Sequence, residues 1–371
     1  MVKTIFWISL LIPVYVYLGY PLALLAIRAV RRRPVMKRPI RPFVSLLIPA
    51  YNEADAIQRK IENSLALDYP SDRLEIVVAS DGSRDATAEI ARRMADGTRV
   101  RLLEFPANRG KMATLNASVP ELRGDVLVFS DATAMLERDA LPRLIENFAD
   151  PAVGAVSGRY KVASGAGVSI GASEGLYWRY ECFLKAQESE LASTVGAHGH
   201  LHAIRKHLYL YPPEETINDD CVIPLSVLTK GYRAVYEPGA MVYEEAREMA
   251  GFGRRIRIMA GNIQQMRYAA GLLRPLRMLP LFFLLSHKAG RLLAPFALLS
   301  AVVANVFLLD RPLYLGLFGG QVIFYLLAVL GIACTLRPRA LMLPFYFSMI
   351  NTAAFFGLYH ALTHRRSLAW K

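Results

Sequence analysis

Three short apolar runs in the first third of the chain each stop at a cluster containing a carboxylate. Val44-Ser45-Leu46-Leu47-Ile48 leads into Pro49-Ala50-Tyr51-Asn52-Glu53. Leu74-Glu75-Ile76-Val77-Val78 leads into Ala79-Ser80-Asp81-Gly82-Ser83, and Asp125-Val126-Leu127-Val128-Phe129 into Ser130-Asp131-Ala132-Thr133. Short apolar runs that end in turn-forming residues read as buried strands of a parallel sheet. Glu53, Asp81 and Asp131 then lie just past the C-terminal ends of three strands, the edge at which open α/β sheets bind ligands. Lys111 follows the turn Asn108-Arg109-Gly110 and opens a helix, where free backbone N–H groups and the helix dipole favour anions. Any one of these acids alone would be an ordinary solvated loop residue. Three acids and a lysine at one edge point to a site for a nucleoside diphosphate.

The elements that must hold these groups follow from the spacing between them. Asp55 to Leu67 and Asp85 to Met94 are amphipathic, and a third helix runs from Gly110 to Val119. Gly165-Ala166-Gly167 reads as a hinge or loop before a long helix from Glu174 to Leu191, which carries Tyr177, Trp178, Tyr180 and Phe183 near its start. Next, His198, His200 and His202 stand at alternate positions and would share one face of a strand, so a metal site is one reading of them. Thr216-Ile217-Asn218-Asp219-Asp220 opens an apolar helical run, where Asn or Asp commonly caps a helix. Two adjacent carboxylates also raise each other's proton affinity, which suits a base working near neutral pH.

The 371 residues are 54% apolar and carry a net charge of +13. The pI is near 9.7 and the mean hydropathy is positive. The basic residues crowd beside apolar segments instead of alternating with aromatics, which favours an anionic membrane surface over nucleic acid as the partner. Residues 4–27 are almost uninterrupted apolar, long enough to cross a bilayer, and no small-residue cleavage site follows. Arg28, Arg31, Arg32, Arg33, Lys37, Arg38 and Arg41 come straight after, which predicts a cytoplasmic flank. Cys182, Cys221 and Cys334 give neither a metal signature nor a disulfide framework. Residues 247–270 form a basic helix suited to an anionic leaflet, with Arg247, Arg254, Arg255, Arg257 and Arg267. Leu281 to Arg291 reads as an interfacial element, followed by spans at about 293–309, 314–336 and 341–362. Four spans would leave Arg365, Arg366 and Lys371 outside, against the charge rule; a fifth crossing near 276–292 would resolve the conflict.

The ordered set Pro-x-Tyr-Asn-Glu, Ser-Asp-Gly-Ser, Asn-x-Gly-Lys and Ser-Asp-x-Thr resembles the membrane-integrated family-two glycosyltransferases of GT-A fold, the polysaccharide-synthase-like group that includes cellulose, hyaluronan and poly-N-acetylglucosamine synthases. Each motif is weak alone; the order is specific. The resemblance implies that Pro49, Ala50, Tyr51 and Glu53 line a nucleoside pocket, that Asp81 faces the base, and that Lys111 helps bind the nucleotide. It makes Asp131 the ligand of a divalent cation, Mg2+ or Mn2+, which would neutralise charge on the leaving diphosphate. The family's usual Asp-x-Asp here reads Asp131-Ala132-Thr133, with a hydroxyl in place of the second acid. Inverting transfer needs one base, and the family's acidic pair at this helix start assigns that role to Asp220, with Asp219 beside it. The Gly-rich segment at Gly199 and His200, with Trp178, corresponds to acceptor contacts. The family's Gln-x-x-Arg-Trp corresponds to Arg254-Arg255-Ile256-Arg257-Ile258. Arg257 matches and could meet the departing diphosphate, while the aromatic that touches the acceptor sugar is absent.

The expected architecture is an α/β GT-A domain with transmembrane helices at both ends. An anchor at 1–28 and a basic linker at 29–42 precede a cytoplasmic domain at 43–245. Interfacial helices at 246–292, a membrane bundle at 293–363 and a basic tail at 364–371 follow. The expected activity is transfer from a nucleotide sugar, with a UDP-sugar the leading donor, to a glycan hydroxyl in exopolysaccharide or envelope synthesis at the inner membrane. Two rivals stand beside it: addition of one sugar to a polyprenyl phosphate or other lipid, and a non-catalytic nucleotide-sugar-binding subunit. Three C-terminal spans are few for a self-sufficient polymer channel, which partner subunits or a homo-oligomer could supply.

Overall fold

The structure, a computed structural model, describes residues 1–163, 170–245, 251–273, 278–333 and 339–363. Gly165-Ala166-Gly167, Arg247, Cys334 and the tail residues Arg365, Arg366 and Lys371 lie outside the described residues.

Strands Val44–Ala50 (β1), Leu74–Asp81 (β2) and Val126–Phe129 (β4) are buried at every position. Burial on both faces is what their unbroken apolar sequence demands. They pair in parallel, with Val44 opposite both Leu74 and Val126. That register brings their C-terminal ends to the same side of the sheet: Ala50 faces Ser80, and β4 stops at Phe129 opposite Leu47. The three clusters read from the sequence therefore emerge along one edge. Val100–Phe105 (β3) extends the parallel set beyond β2. On the other side the sheet turns mixed. Met135–Leu136 (β5), Val153–Ala163 (β6), His202–Arg205 (β7) and Arg233–Glu245 (β8) complete an eight-stranded order β3-β2-β1-β4-β7-β6-β8-β5, with β7 antiparallel to both β4 and β6.

Alternate residues of the central strands feed two cores. Leu46 and Ile48 join Ile57 and Ile61 of helix Ala54–Leu65 (α2). Leu47 and Val77 join Met112 and Leu115 of helix Lys111–Ser118 (α4). Each such side chain contributes roughly 1.5–3 kcal/mol on burial. Helices Thr87–Met94 (α3) and Ala140–Glu146 (α5) cover the remaining strands. Helix Ile170–Leu191 (α6) follows β6, and helix Asp219–Thr229 (α7) precedes β8.

Among the described residues three helices are long and apolar enough to cross a membrane: Val2–Val30 (α1), Met278–Val306 (α9) and Pro312–Ile332. The last of these lies within helix Pro312–Ala333 (α10). Leu281 to Arg291 lies within the continuous helix α9. Helix Gly251–Gln265 (α8) is the basic helix, and it packs along the final helix, Arg339–Thr363 (α11). At that contact a Cβ on Gly357 would stand 2.6 Å from Met259 Cβ. The membrane helices are not appendages. Tyr20 and Leu24 of α1 and Phe283 and Leu284 of α9 belong to the same buried cluster as Leu47, Val77 and Met112.

The turn after β2 depends on Gly82, which adopts φ +65°, and a Cβ there would lie 2.4 Å from the Ala107 carbonyl carbon. Gly82→Ala is expected to lower the unfolding free energy by about 2 kcal/mol or more, measured by denaturant titration of the detergent-solubilised chain. Unchanged stability would mean that the 105–110 loop relaxes around the added methyl.

Candidate active site

The centre of the strand-end edge is Lys111. As the first residue of α4 it follows Gly110, whose φ of +91° turns the chain into the helix. Its Nζ donates to Asp131 Oδ1 at 2.9 Å and lies 3.3 Å from Asp219 Oδ2. Burial works against the ammonium charge, but Asp131 and Asp219 outweigh it and raise the Lys111 pKa. One cation thus joins the acid after β4 to the acidic pair that opens α7, 88 residues further along the chain.

The other edge residues are held by the loop itself. Asp81 is fully buried and accepts from the backbone N–H groups of Arg109 and Gly110 at 3.0 and 2.9 Å. In this arrangement its carboxylate fixes the turn that launches α4. Glu53 N donates to Thr87 Oγ1 at 2.7 Å, and Arg84 N donates to Asn52 Oδ1 at 2.8 Å, which ties the Pro49-to-Glu53 loop to the one after β2. Asn52 sits at φ +54° in that clasp. Pro49 and Ala50 are the last two residues of β1, opposite Ala79 and Ser80, and Tyr51 follows at intermediate exposure.

On the far side of Lys111 the acidic pair meets the Gly-rich segment. Ala197 N donates to the Asp220 carbonyl at 2.7 Å, and a Cβ on Gly199 would stand 3.4 Å from Asp220 Oδ2. Glycine here keeps one face of the carboxylate uncovered. Burial pushes the Asp220 carboxyl above the ordinary range, and the charge of Asp219 adds to it, while Lys111, Lys185 and Lys288 oppose. Lys185 donates to the Gly196 carbonyl at 2.5 Å and the Ala197 carbonyl at 3.2 Å, bracing the same segment from α6.

Thr133, which stands where the second acid of the motif was expected, donates to Glu244 Oε1 at 2.6 Å. Glu244 Oε2 accepts from Tyr160 OH at 3.2 Å and lies 3.0 Å from His200 Nε2. The Tyr160 and His200 rings stack with centroids 4.0 Å apart, and Trp178 meets Tyr160 edge-on at 5.0 Å. His200 and Trp178 therefore converge, with Glu244 as a carboxylate that the motifs did not reveal. The three histidines do not share one site. His202 stacks on Phe129 on the opposite core, and burial lowers its pKa to about 4. His198 packs against Trp178 and Tyr236. Among the described residues no group of three or more His, Cys, Asp or Glu side chains is placed to hold a metal ion. Asp131 and Asp219 converge on the Lys111 ammonium, and Asp219 Oδ2 has no hydrogen bond.

Two further supports escaped the sequence reading. Lys60 is fully buried in α2 and donates to Ser130 Oγ at 2.7 Å and to the Ala134 carbonyl, bracketing Asp131; burial lowers its pKa to about 7, with Asp131 opposing. A lysine on the Ile57-Ile61-Ser64 face was the available signal. Asn218 Nδ2 donates to the Ile258 carbonyl at 3.0 Å, and Ile217 N donates to Gln264 Oε1 at 2.9 Å, latching α8 to the start of α7. Gly261 permits the approach, since a Cβ there would meet Asn218 Cγ at 2.4 Å. Arg257 rides on this latched helix, half-buried.

A mixed sheet whose parallel half presents acids and a helix-initiating lysine at one edge, with an acidic helix start facing them, is the GT-A arrangement of nucleotide-sugar transferases. Residues 45–210 match the glycosyl transferase family 2 model. The chain is 27% identical over 226 residues to poly-beta-1,6-N-acetyl-D-glucosamine synthase of Staphylococcus aureus and 25% identical to that of Staphylococcus epidermidis, covering 59% of this chain and 54% of each relative. The chain thus spans about half the length of the curated relatives it matches. Its fold is similar throughout to a mannosyltransferase of Pyrobaculum calidifontis, solved in complex with GDP-Man and Mn2+. That match has a TM-score of 0.77 and 23% identity, and covers 99% of this chain and 100% of the other.

Lys111→Met leaves Asp131 and Asp219 facing each other without their shared cation. The variant is expected to lose about 1–3 kcal/mol of stability at neutral pH. The Lys111 pKa is raised on folding, so its contribution is fully present below the ordinary lysine value and is lost only as pH rises through the elevated one. The difference from wild type should shrink in acid, where carboxylates protonate. Paired urea titrations at pH 7 and pH 4 check this; an equal loss at both would assign the effect to packing.

Proposed function

We propose that the protein is a membrane-bound inverting glycosyltransferase that moves a sugar from a nucleotide donor, with UDP-sugars first among the candidates, to a hydroxyl acceptor in exopolysaccharide or cell-envelope glycan synthesis. The observation that carries this reading is the Lys111 ammonium between Asp131 and Asp219, which brings the strand-end edge and the start of α7 to one point. Similarity to poly-N-acetylglucosamine synthases supports the class of product. The three long apolar helices and the arginine-rich flank after α1 support a catalytic domain on the cytoplasmic face of the inner membrane.

In this reading the nucleoside lies against Pro49, Ala50, Tyr51, Glu53 and Asp81. Lys111 and Arg257 attract the diphosphate, whose negative charge grows as the anomeric C–O bond breaks. Asp131 would hold a Mg2+ or Mn2+ ion, with Asp219 within reach of the same position; such an ion supplies charge neutralisation at the diphosphate. The acceptor hydroxyl attacks the anomeric carbon from the face opposite the diphosphate. Asp220 takes its proton, the new glycosidic bond forms, and the nucleoside diphosphate leaves with the electron pair. Gly199, His200 and Trp178 border the acceptor.

The test is nucleoside-diphosphate release by the detergent-purified chain, offered a panel of nucleotide sugars with Mg2+ or Mn2+ and native lipid extract. Asp220→Asn and Asp131→Ala, each shown to be folded, are expected to lower release at least about 100-fold. Full release by both variants would sink the mechanism.

Asp220 must be ionised to act, so its raised pKa places the acidic limb of the kcat/KM profile above the usual carboxylate range. Asp219→Asn removes a charge that raises that pKa, and the limb is expected to move to lower pH. A limb that stays in place would remove Asp220 as its source.

A further inference from the structure

The segment that approaches Asp220 has no helix or strand to hold it. Residues 194–197 run between the end of α6 and the His198–Leu201 bridge. Buried N–H and C=O groups need partners, so such a segment must be gripped from outside. Two residues one turn apart on α6 supply the grip. Lys185 donates to the Gly196 and Ala197 carbonyls at 2.5 and 3.2 Å. Glu188 Oε2 accepts from Val195 N at 3.3 Å and lies 3.3 Å from Thr194 Oγ1. The segment passes this placement on, since Ala197 N donates to the Asp220 carbonyl at 2.7 Å.

The other oxygen of Glu188 faces the membrane helices. Oε1 accepts from Tyr20 OH of α1 at 2.7 Å and lies 2.6 Å from His287 Nδ1 of α9. His287 Nε2 lies 3.3 Å from Glu181, which also pairs with Arg291. Glu188 is fully buried, as is Tyr20, and His287 is nearly so. Four polar neighbours thus meet the roughly four lone-pair positions of one carboxylate, two from the acceptor segment and two from the membrane helices. A contact between helices alone would be served as well by an apolar residue, because a buried charge repays its desolvation only through well-placed hydrogen bonds. The carboxylate is what reaches both sides at once.

We propose that Glu188 is a positioning residue: it seats the segment 194–200 against Asp220 according to how α1 and α9 lie on α6. Engagement of the acceptor then depends on the membrane helices, although neither helix needs to touch it. This deepens the glycosyltransferase reading and rests on it for the role of Asp220. The seating itself is read without any transfer, so its failure is distinguishable from an absence of activity.

Cys221 supplies the readout. It is buried beneath the segment, where a Cβ on Gly196 would stand 2.8 Å from its Sγ. The full chain in detergent is treated with N-ethylmaleimide, and modification of Cys221 is followed by peptide mass mapping, apart from Cys182 and Cys334. Glu188→Gln is expected to speed labelling about tenfold or more, the loss of a charged hydrogen bond felt as local opening. Tyr20→Phe and His287→Gln, which alter only the membrane side, should speed it too. Ser286→Ala removes the 2.7 Å bond to Tyr15 between the same two helices without involving Glu188, and should leave the rate unchanged. A wild-type rate in folded Glu188→Gln protein overturns the proposal, and so does an equal rise in Ser286→Ala, which would mean general loosening. Should Glu188→Gln fail to fold, an unchanged rate in Tyr20→Phe and His287→Gln has the same force. In nucleoside-diphosphate release, Glu188→Gln should need several-fold more native lipid extract for half-maximal rate while the donor KM stays as in wild type. A lower rate with both half-saturation values unchanged would reduce Glu188 to a stability role. Faster labelling in a chain that turns over no donor would keep the seating and remove the transferase reading.

Discussion

The ion triad Asp131–Lys111–Asp219 is the constraint on which the rest of the site depends. Lys111 stands at the start of one helix and Asp219 at the start of another, and each helix is fixed to a different half of the sheet. Bringing them within ion-pair distance requires β4 and β7 to pair antiparallel, so that the parallel half of the sheet passes directly into the mixed half. Removing one partner of such a group leaves the others partly desolvated and unpaired, which costs more than the intact group contributes. The same three residues that bind the halves together are those a diphosphate and its counter-ion would engage. Structural cohesion and ligand readiness are here one set of contacts.

Around that point, support is arranged in tiers that differ in how much they can move. Asp81 and Lys60 are fully buried, and each grips backbone: the N–H groups of Arg109 and Gly110 in one case, the Ala134 carbonyl in the other. These fix the donor edge rigidly. The acceptor edge is assembled from side chains on three separate elements: Trp178 of α6, Tyr160 of β6 and Glu244 of β8, with His200 between them. The latch from Asn218 and Gln264 then ties α8, and with it Arg257, to the acidic pair that opens α7. A change in how α8 lies on its neighbours would therefore be felt at Asp219 and Asp220.

The donor edge was legible in the sequence because its signals are local. Each strand is a continuous apolar run, and each functional group falls within a few residues of the run's end. Parallel pairing then carries the clusters holding Glu53, Asp81 and Asp131 to one side of the sheet, although the three strands differ in length. The acceptor edge was legible only in part. Thr133 looks like the loss of a carboxylate, yet Glu244 reaches it across 111 residues of chain, and nothing in the spacing records that contact. His198, His200 and His202 alternate as strand residues would, but the strand begins only at His202, and a tight bridge between His198 and Leu201 precedes it. The three rings accordingly go to different neighbours. In α9 the polar run Ser286–Arg291 meets the carboxylates of α6, contacts that the local sequence does not record.

The buried cluster that holds Leu47 and Val77 of the sheet also holds Tyr20 from the first helix and Phe283 from α9, more than 260 residues later. One face of the catalytic core is thus closed by segments from opposite ends of the chain, both of which a membrane must first receive. During synthesis the sheet can form early, but that face stays uncovered until α9 has emerged and been inserted. Completion of the enzyme's interior is in this sense an event of membrane insertion. A version cut free at the membrane surface would lack part of its own core, so solubility cannot be obtained here by simple trimming.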